Sequence, residues 1–367
     1  MRLLALYLPQ YHEIEENNEW WGKGYTEWTA VKNAKTLCSR HSQPNVPLNH
    51  NYYDLSDETG SVWKWQAELA EKYGIYGFCI YHYWFGEKQL LQKPMEILLN
   101  HPEISLRYCV CWANETWTRV WYAKQSEVLI RQTYGDKEEW IRHYRYLSQF
   151  FKDPRYIKVD NMPLVHVLMQ GKVEHLDEML KCWNELAEED GFAGIRMIAC
   201  RDSIHNTELK SDRIAGEYMF EPGYSTRNGM TPLEKLRYFG DIELRHLKNQ
   251  IFHTEDLERM IDMRAVNRRI IRNYLARKKA GGKPLYCGVC PNWDNTPRRS
   301  DRGSVYYNTT PQEFARMLRK VKEITDEEEF VYVDAWNEWG EGCYLEPDER
   351  YGYGFLEAVR DVQGKSV

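Results

Sequence analysis

Eight short apolar runs, at residues 3–8, 77–81, 107–111, 163–168, 195–199, 214–218, 284–289 and 330–335, punctuate the chain, and stretches with helical periodicity separate most of them. The runs are continuous rather than alternating, which suits strands buried on both faces, and connections of helical length between them call for parallel pairing. Eight such units close a sheet on itself, so the sequence predicts an α/β fold, a single (β/α)8 TIM barrel. Helices are expected over 63–73, closing at Gly74, and over 93–100, 137–151, 174–189, 311–324 and 353–362. Residues 231–279 hold one or two more, chiefly 256–278. No repeat, low-complexity segment or linker divides residues 1–367, which are read as one domain. The longest connections follow the first, third and seventh strands at their C-terminal ends, the face on which such barrels carry their active sites.

Polar and aromatic residues gather just past the strands: Tyr11 and His12, His82 and Trp84, Asn114, Glu115 and Trp117, Asp202, Glu217 or Glu221, Trp293 and Asp294. Trp28 lies in the long connection after the first strand. The last strand breaks directly into Trp336, Asn337, Glu338, Trp339 and Glu341, with Glu346 beyond. Two carboxylates three residues apart, flanked by tryptophans at a strand end, suit glycosidic-bond chemistry. One protonates a leaving oxygen, the other assists at the sugar, and flat apolar faces hold the ring. Plainer readings stand beside these. The glutamates can be a solvated loop, His12 and His82 can tie loops together, Asp294 can be a turn residue paired with Arg298 or Arg299, and His166 reads as an interior, hydrogen-bonded histidine.

A net charge of −6 with both signs spread along the chain leaves no basic field to collect nucleic acid or an anionic membrane. Fourteen Trp and 26 Tyr suit a polyhydroxylated ligand as well as an aromatic core. Most of the nine cysteines sit in apolar runs, where buried reduced thiols are expected, and Cys287 and Cys290 are read as structural. No H-x-H, H-E-x-x-H or D-x-D cluster, G-x-S-x-G turn, G-x-G-x-x-G motif or P-loop occurs, so neither a metal nor a cofactor is expected. The first apolar run is too short for the core of a signal peptide, and none approaches the length of a transmembrane helix; a cytoplasmic location without an integral membrane segment is the expectation.

Leu8-Pro-Gln-Tyr-His12, Tyr81-His-Tyr-Trp84, Trp112-Ala-Asn-Glu115, Trp293-Asp-Asn-Thr-Pro-Arg298 and Trp336-Asn-Glu-Trp-Gly-Glu-Gly342 resemble, in order and over nearly the whole chain, the WbsX family of polysaccharide-biosynthesis proteins. That family is related to the endo-α-mannosidases and endo-α-mannanases of glycoside hydrolase family 99. The resemblance implies a (β/α)8 barrel and two catalytic glutamates. Glu338 would act as a base on the sugar's own 2-hydroxyl, giving a 1,2-anhydro intermediate, and Glu341 as the general acid/base of a retaining reaction. Those roles need Glu338 ionised and Glu341 protonated near neutral pH. The implied partner is an oligosaccharide or polysaccharide with an α-linked, mannose-like residue, either a bacterial polysaccharide or a lipid-linked glycan. Its candidate contacts are Tyr11, His12, Trp28, His82, Trp84, Asn114, Glu115, Trp117, Trp293, Asp294, Trp336, Asn337 and Trp339. Two alternatives stay open: a nucleotide-sugar-dependent glycosyltransferase of O-antigen or capsule biosynthesis, and a glycan-binding barrel without catalysis.

Overall fold

The computed structural model describes residues 1–38, 41–119, 127–202, 208–253 and 257–364. Its central strands are β1 (Arg2–Tyr7), β2 (Gly77–Trp84), β3 (Tyr108–Trp112), β4 (Met162–Val167), β5 (Arg196–Arg201), β6 (Gly216–Met219), β7 in two pieces (Leu285–Tyr286 and Gly288–Val289) and β8 (Phe330–Val333). Each pairs in parallel with its neighbours from β1 round to β6, and β8 returns to β1. The break in β7 closes the ring. Its first piece pairs with β6, Leu285 opposite Glu217, and its second with β8, Val289 opposite Val333. The fold is the α/β barrel that the apolar runs predict.

The surrounding helices are α1 (Ser61–Tyr73), α2 (Lys93–Asn100), α3 (Lys137–Phe151), α4 (Leu176–Glu189), α5 (Pro232–Phe252), α6 (Met263–Ala280), α7 (Pro311–Ile324) and α8 (Gly354–Gln363). Local chemistry sets their ends. Asp136 accepts from the N–H groups of Glu138 and Glu139 at the start of α3, Pro311 opens α7 behind the Thr310 cap, and Gly74 ends α1 at φ +88°. Phe314, Met317, Leu318 and Val321 of α7 recur at helical spacing and are buried, which fixes that helix on the sheet. One expectation needs correcting: α6 begins at Met263 rather than at 256, a position outside the described residues. Asp262 accepts from the Arg264 N–H as its cap, and Arg259–Asp262 pairs as a strand with Ser304–Tyr307.

Strand alternation fills the barrel with an unusual interior. Tyr332 stacks on Tyr218 at 4.4 Å, His166 Nε2 lies 2.7 Å from the Tyr332 hydroxyl, and the thiols of Cys79, Cys109 and Cys111 complete the layer. The approach of β6 to the second piece of β7 leaves no room for a side chain at Gly288, where a Cβ would lie 2.0 Å from the Met219 carbonyl oxygen and 3.1 Å from Glu221 Cγ. Backbone cannot yield as a flexible side chain does. Gly288→Ala is therefore expected to destabilise the fold by about 3 kcal/mol or more, as overpacking at its upper end. An unchanged midpoint in urea unfolding would refute that.

Candidate active site

The segment after β8 is anchored from below before it presents any chemistry. Glu346 is 2% exposed and accepts four hydrogen bonds: Gln66 Nε2 at 2.8 Å and Trp336 Nε1 at 3.0 Å on one oxygen, Trp339 Nε1 at 2.7 Å and the Tyr53 hydroxyl at 3.0 Å on the other. Burial pushes its carboxyl up to about 7, and these four donors pull against that push. Asn337 ties the segment to the end of β1, accepting from the Leu8 N–H at 2.8 Å and donating to the Leu8 carbonyl at 3.0 Å. The Tyr11 hydroxyl donates to the Asn337 carbonyl and accepts from the Trp339 N–H at 3.3 Å. Glu338 is thus held between fixed neighbours.

Above this anchor, one guanidinium gathers three carboxyl groups. Arg298 reaches Glu27 with Nε at 2.6 Å, Glu338 with Nη2 at 3.0 Å and Glu341 with Nη1 at 2.9 Å. The glycine of the motif makes room for this, since a Cβ on Gly340 would lie 1.8 Å from Glu27 Oε1 and 2.7 Å from Arg298 Nε. Glu338 is enclosed, whereas the Glu341 side chain keeps a quarter of its surface open. Burial pushes Glu338 up to about 8; the Glu341 and Glu27 charges add to this and Arg298 opposes it. Burial thus works against the ionised form of Glu338 that the resemblance asks for, and Arg298 works for it.

Strand parity decides which of the other candidates meet this cluster. On β2 the inward residues are Tyr81 and Tyr83, and burial together with the Glu338 charge raises both phenols well above their usual value. His82 and Trp84 point the other way, onto α3: the His82 and His143 Nε2 atoms lie 2.9 Å apart, and Trp84 stacks on His143 at 4.5 Å. Burial pushes His82 down to about 3, so this pair is neutral. Trp117 packs edge-on against Tyr83 at 5.1 Å, while Glu115 is exposed nearby. Asn114 joins two loops, donating to the Met169 carbonyl at 3.1 Å and accepting from the Met169 N–H at 2.8 Å.

Several candidate residues are occupied with the fold. Trp336 and Trp339 are 0% and 1% exposed, against Phe78 and Tyr344, and offer no free face. Asp294 accepts from Gln43 at 2.7 Å and from Thr296, and lies 2.8 Å from His41 Nε2, rather than pairing with Arg298 or Arg299. Trp293 donates to Ser304 at 3.2 Å, and His12 Nδ1 sits 3.0 Å from the Pro9 carbonyl. Trp28 donates to the Tyr53 carbonyl, and with Tyr11, Tyr52, Lys32, Glu13 and Asp54 it lines a cleft of about 350 Å³ beside the motif. Glu217 is paired with Arg201 at 2.9 Å. Glu221 accepts from the N–H and hydroxyl of Ser225, and burial pushes it up to about 8.

Residues 3–359 match the family model described as "Glycosyltransferase WbsX". The chain belongs to the WbsX glycosyltransferase family. Two Xanthomonas campestris pv. campestris proteins called "Uncharacterized protein WxcX", from strain B100 and strain ATCC 33913, are each 32% identical over 98% of this WbsX chain. Only 49% of either relative is covered, so the chain spans about half the length of the curated relatives it matches. Among solved structures it is similar to the family 99 endo-alpha-mannosidase of Bacteroides thetaiotaomicron, with a TM-score of 0.61 at 11% identity over 99% of this chain and 96% of that one. A "Glycoside hydrolase-like protein" gives a TM-score of 0.61 at 10% identity, covering 98% and 93%. These likenesses establish a shared barrel.

Within the WbsX barrel, sequence reasoning passed over Glu27, Tyr81, Tyr83 and Asp334. Alternation along β2 could have found the tyrosines, because Cys79 inside the core fixes the inward parity. Nothing near Glu27 signals that it meets Arg298, 271 residues away. The interior thiols of Cys79 and Cys109 approach His166 Nδ1 at 3.3 and 3.9 Å, but that nitrogen also faces the Val110 carbonyl at 3.1 Å, which claims its proton. No helix among the described residues is long and apolar enough to cross a membrane.

Proposed function

We propose that this chain is a carbohydrate-active enzyme that cleaves or transfers an α-linked, mannose-like residue of a bacterial polysaccharide or lipid-linked glycan, with retention and in the cytoplasm. The observation that carries the reading is the pairing of Glu338 and Glu341 on one guanidinium at the mouth of the barrel. Burial and the neighbouring carboxylates favour the protonated form of Glu338 against the pull of Arg298, and a proton held at the pair is the stock that acid and base catalysis need. In the productive state that proton sits on Glu341. A sugar 2-hydroxyl that donates to Glu338 favours its charged form and shifts the proton outward to the more open partner. The fold shared with an endo-alpha-mannosidase supports this direction, and the family's own description supports transfer from a nucleotide sugar as the second reading.

The test is incubation with a panel of α-linked manno-oligosaccharides and host-strain polysaccharide, with and without nucleotide sugars, read by mass spectrometry. Cleavage or glycan-to-glycan transfer without a nucleotide is the expected result. Extension that requires a nucleotide sugar would overturn it in favour of the second reading, and binding without turnover would leave a lectin-like barrel.

A further inference from the structure

Asp334 follows directly on β8 and takes no part in the Arg298 cluster. Its N–H donates to the Val289 carbonyl at 2.9 Å, so it continues the strand register, and its side chain falls on the inward side two residues beyond Tyr332. It therefore stands one layer above the Tyr332–Tyr218 stack, between the packed core and the catalytic pair. The residue is 3% exposed, and among the described residues its Oδ2 is buried without a hydrogen-bond partner. Buried polar atoms in native proteins are almost always partnered, so this atom, set beneath Glu338 and Glu341, is open to a partner that the described residues do not supply.

The groups facing it fix its chemical form. Glu338, Glu341 and Cys343 come from its own segment, Glu221 from the end of β6, Tyr81 from β2, Cys200 from β5 and Cys290 from the end of β7. None is a cation. Burial, reinforced by the Glu341, Glu338 and Glu221 charges, holds the Asp334 carboxyl well above the usual carboxylate range. A neutral acid has an O–H to give, and no partner among the described residues takes it.

We propose that Asp334 is the floor of the sugar site, its otherwise unpartnered Oδ2 the group that donates to a hydroxyl oxygen of the glycan ring seated over Glu338 and Glu341. The assignment rests on the carbohydrate-active reading and adds a substrate-positioning residue to it. Amide and acid both donate, whereas a methyl group cannot. Asp334→Ala should lower kcat/KM on the best α-manno-oligosaccharide substrate by about 30-fold or more, and Asp334→Asn should restore it to within about tenfold of wild type.

Thermal unfolding supplies a readout that does not depend on turnover. A carboxyl whose folded pKa is raised contributes stability below its unfolded value and loses it as pH rises, so the melting temperature of Asp334→Asn should gain on wild type from about pH 4 upward. An alanine variant as active as wild type would overturn the assignment, as would an asparagine variant as inactive as alanine with no pH-dependent gain in melting temperature. Wild type inert toward every glycan would instead overturn the functional reading, and with it a role for Asp334 in that reaction.

Discussion

Glu338→Gln should abolish turnover of every glycan substrate, whereas Glu341→Gln should abolish it only for substrates with poor leaving groups. The asymmetry follows from the two tasks. A base acting on the sugar's own 2-hydroxyl is required whatever departs from the anomeric carbon, and an acid is required only when the departing oxygen cannot leave as an anion. Each loss should be on the order of 10²–10⁴ in kcat/KM, the usual range for general acid–base groups. A 2-deoxy substrate, lacking the internal nucleophile, should not react even with wild type; normal cleavage of it would reject 2-hydroxyl participation. The pH profile carries its own sign. Glu338 is pushed up to about 8, and the pair's proton, which the productive state needs on Glu341, is lost as pH rises through that value, so the alkaline limb of kcat/KM on substrates with poor leaving groups should lie near it. Activity undiminished well above that pH would show that catalysis does not use the proton that Glu338 holds. Full activity of Glu341→Gln on poor leaving groups would take Glu341 out of the acid role.

The barrel was legible because its signal is local. Each strand is a short run of residues such as Phe330-Val-Tyr-Val333, and each connection holds a periodic helix, so period and length together name the fold. The segment after β8 was legible for the same reason: a strand that breaks into acids and tryptophans stands out in one window. What the sequence could not convey is which of those residues the fold spends on itself. Trp336 and Trp339 look like sugar platforms, yet both indole N–H groups are committed to Glu346, and a carboxyl buried to 2% exposure needs such donors. His82 and Trp84 look like site residues because they end a strand, and an offset of one residue sends them to α3 while Tyr81 and Tyr83 face the pair. The local reading of Arg298 is a turn in which Asp294 pairs with it or with Arg299. The contacts it makes instead, with Glu27 and Glu338, span 271 and 40 residues, beyond any local pattern.

Arg298→Met should destabilise the protein more severely than any other single change at the site, and more at alkaline than at acid pH. Methionine keeps much of the side-chain volume and removes the charge, which leaves Glu27, Glu338 and Glu341 facing one another without a cation. Breaking a buried ion pair by deleting one partner typically costs ~3–5 kcal/mol, and here one deletion strips three carboxyl groups. The linkage sign follows from Glu338. Arg298 is what holds its carboxyl down against burial, so the variant raises it further, and a carboxyl with a raised folded pKa loses its stabilising contribution as pH rises. Melting profiles should therefore separate from wild type progressively between about pH 7 and pH 9, as wild-type Glu338 ionises and the variant's does not. Glu27→Gln in the same chain should recover part of the loss, because it removes one of the stranded charges without touching the pair. Equal destabilisation at both pH values would mean that Arg298 contributes packing rather than charge. Catalysis gives a second reading of the same residue: with its cation gone the pair holds its proton more tightly, so the alkaline limb of kcat/KM should move to higher pH, and a limb left in place would show that Arg298 does not set the ionisation of Glu338.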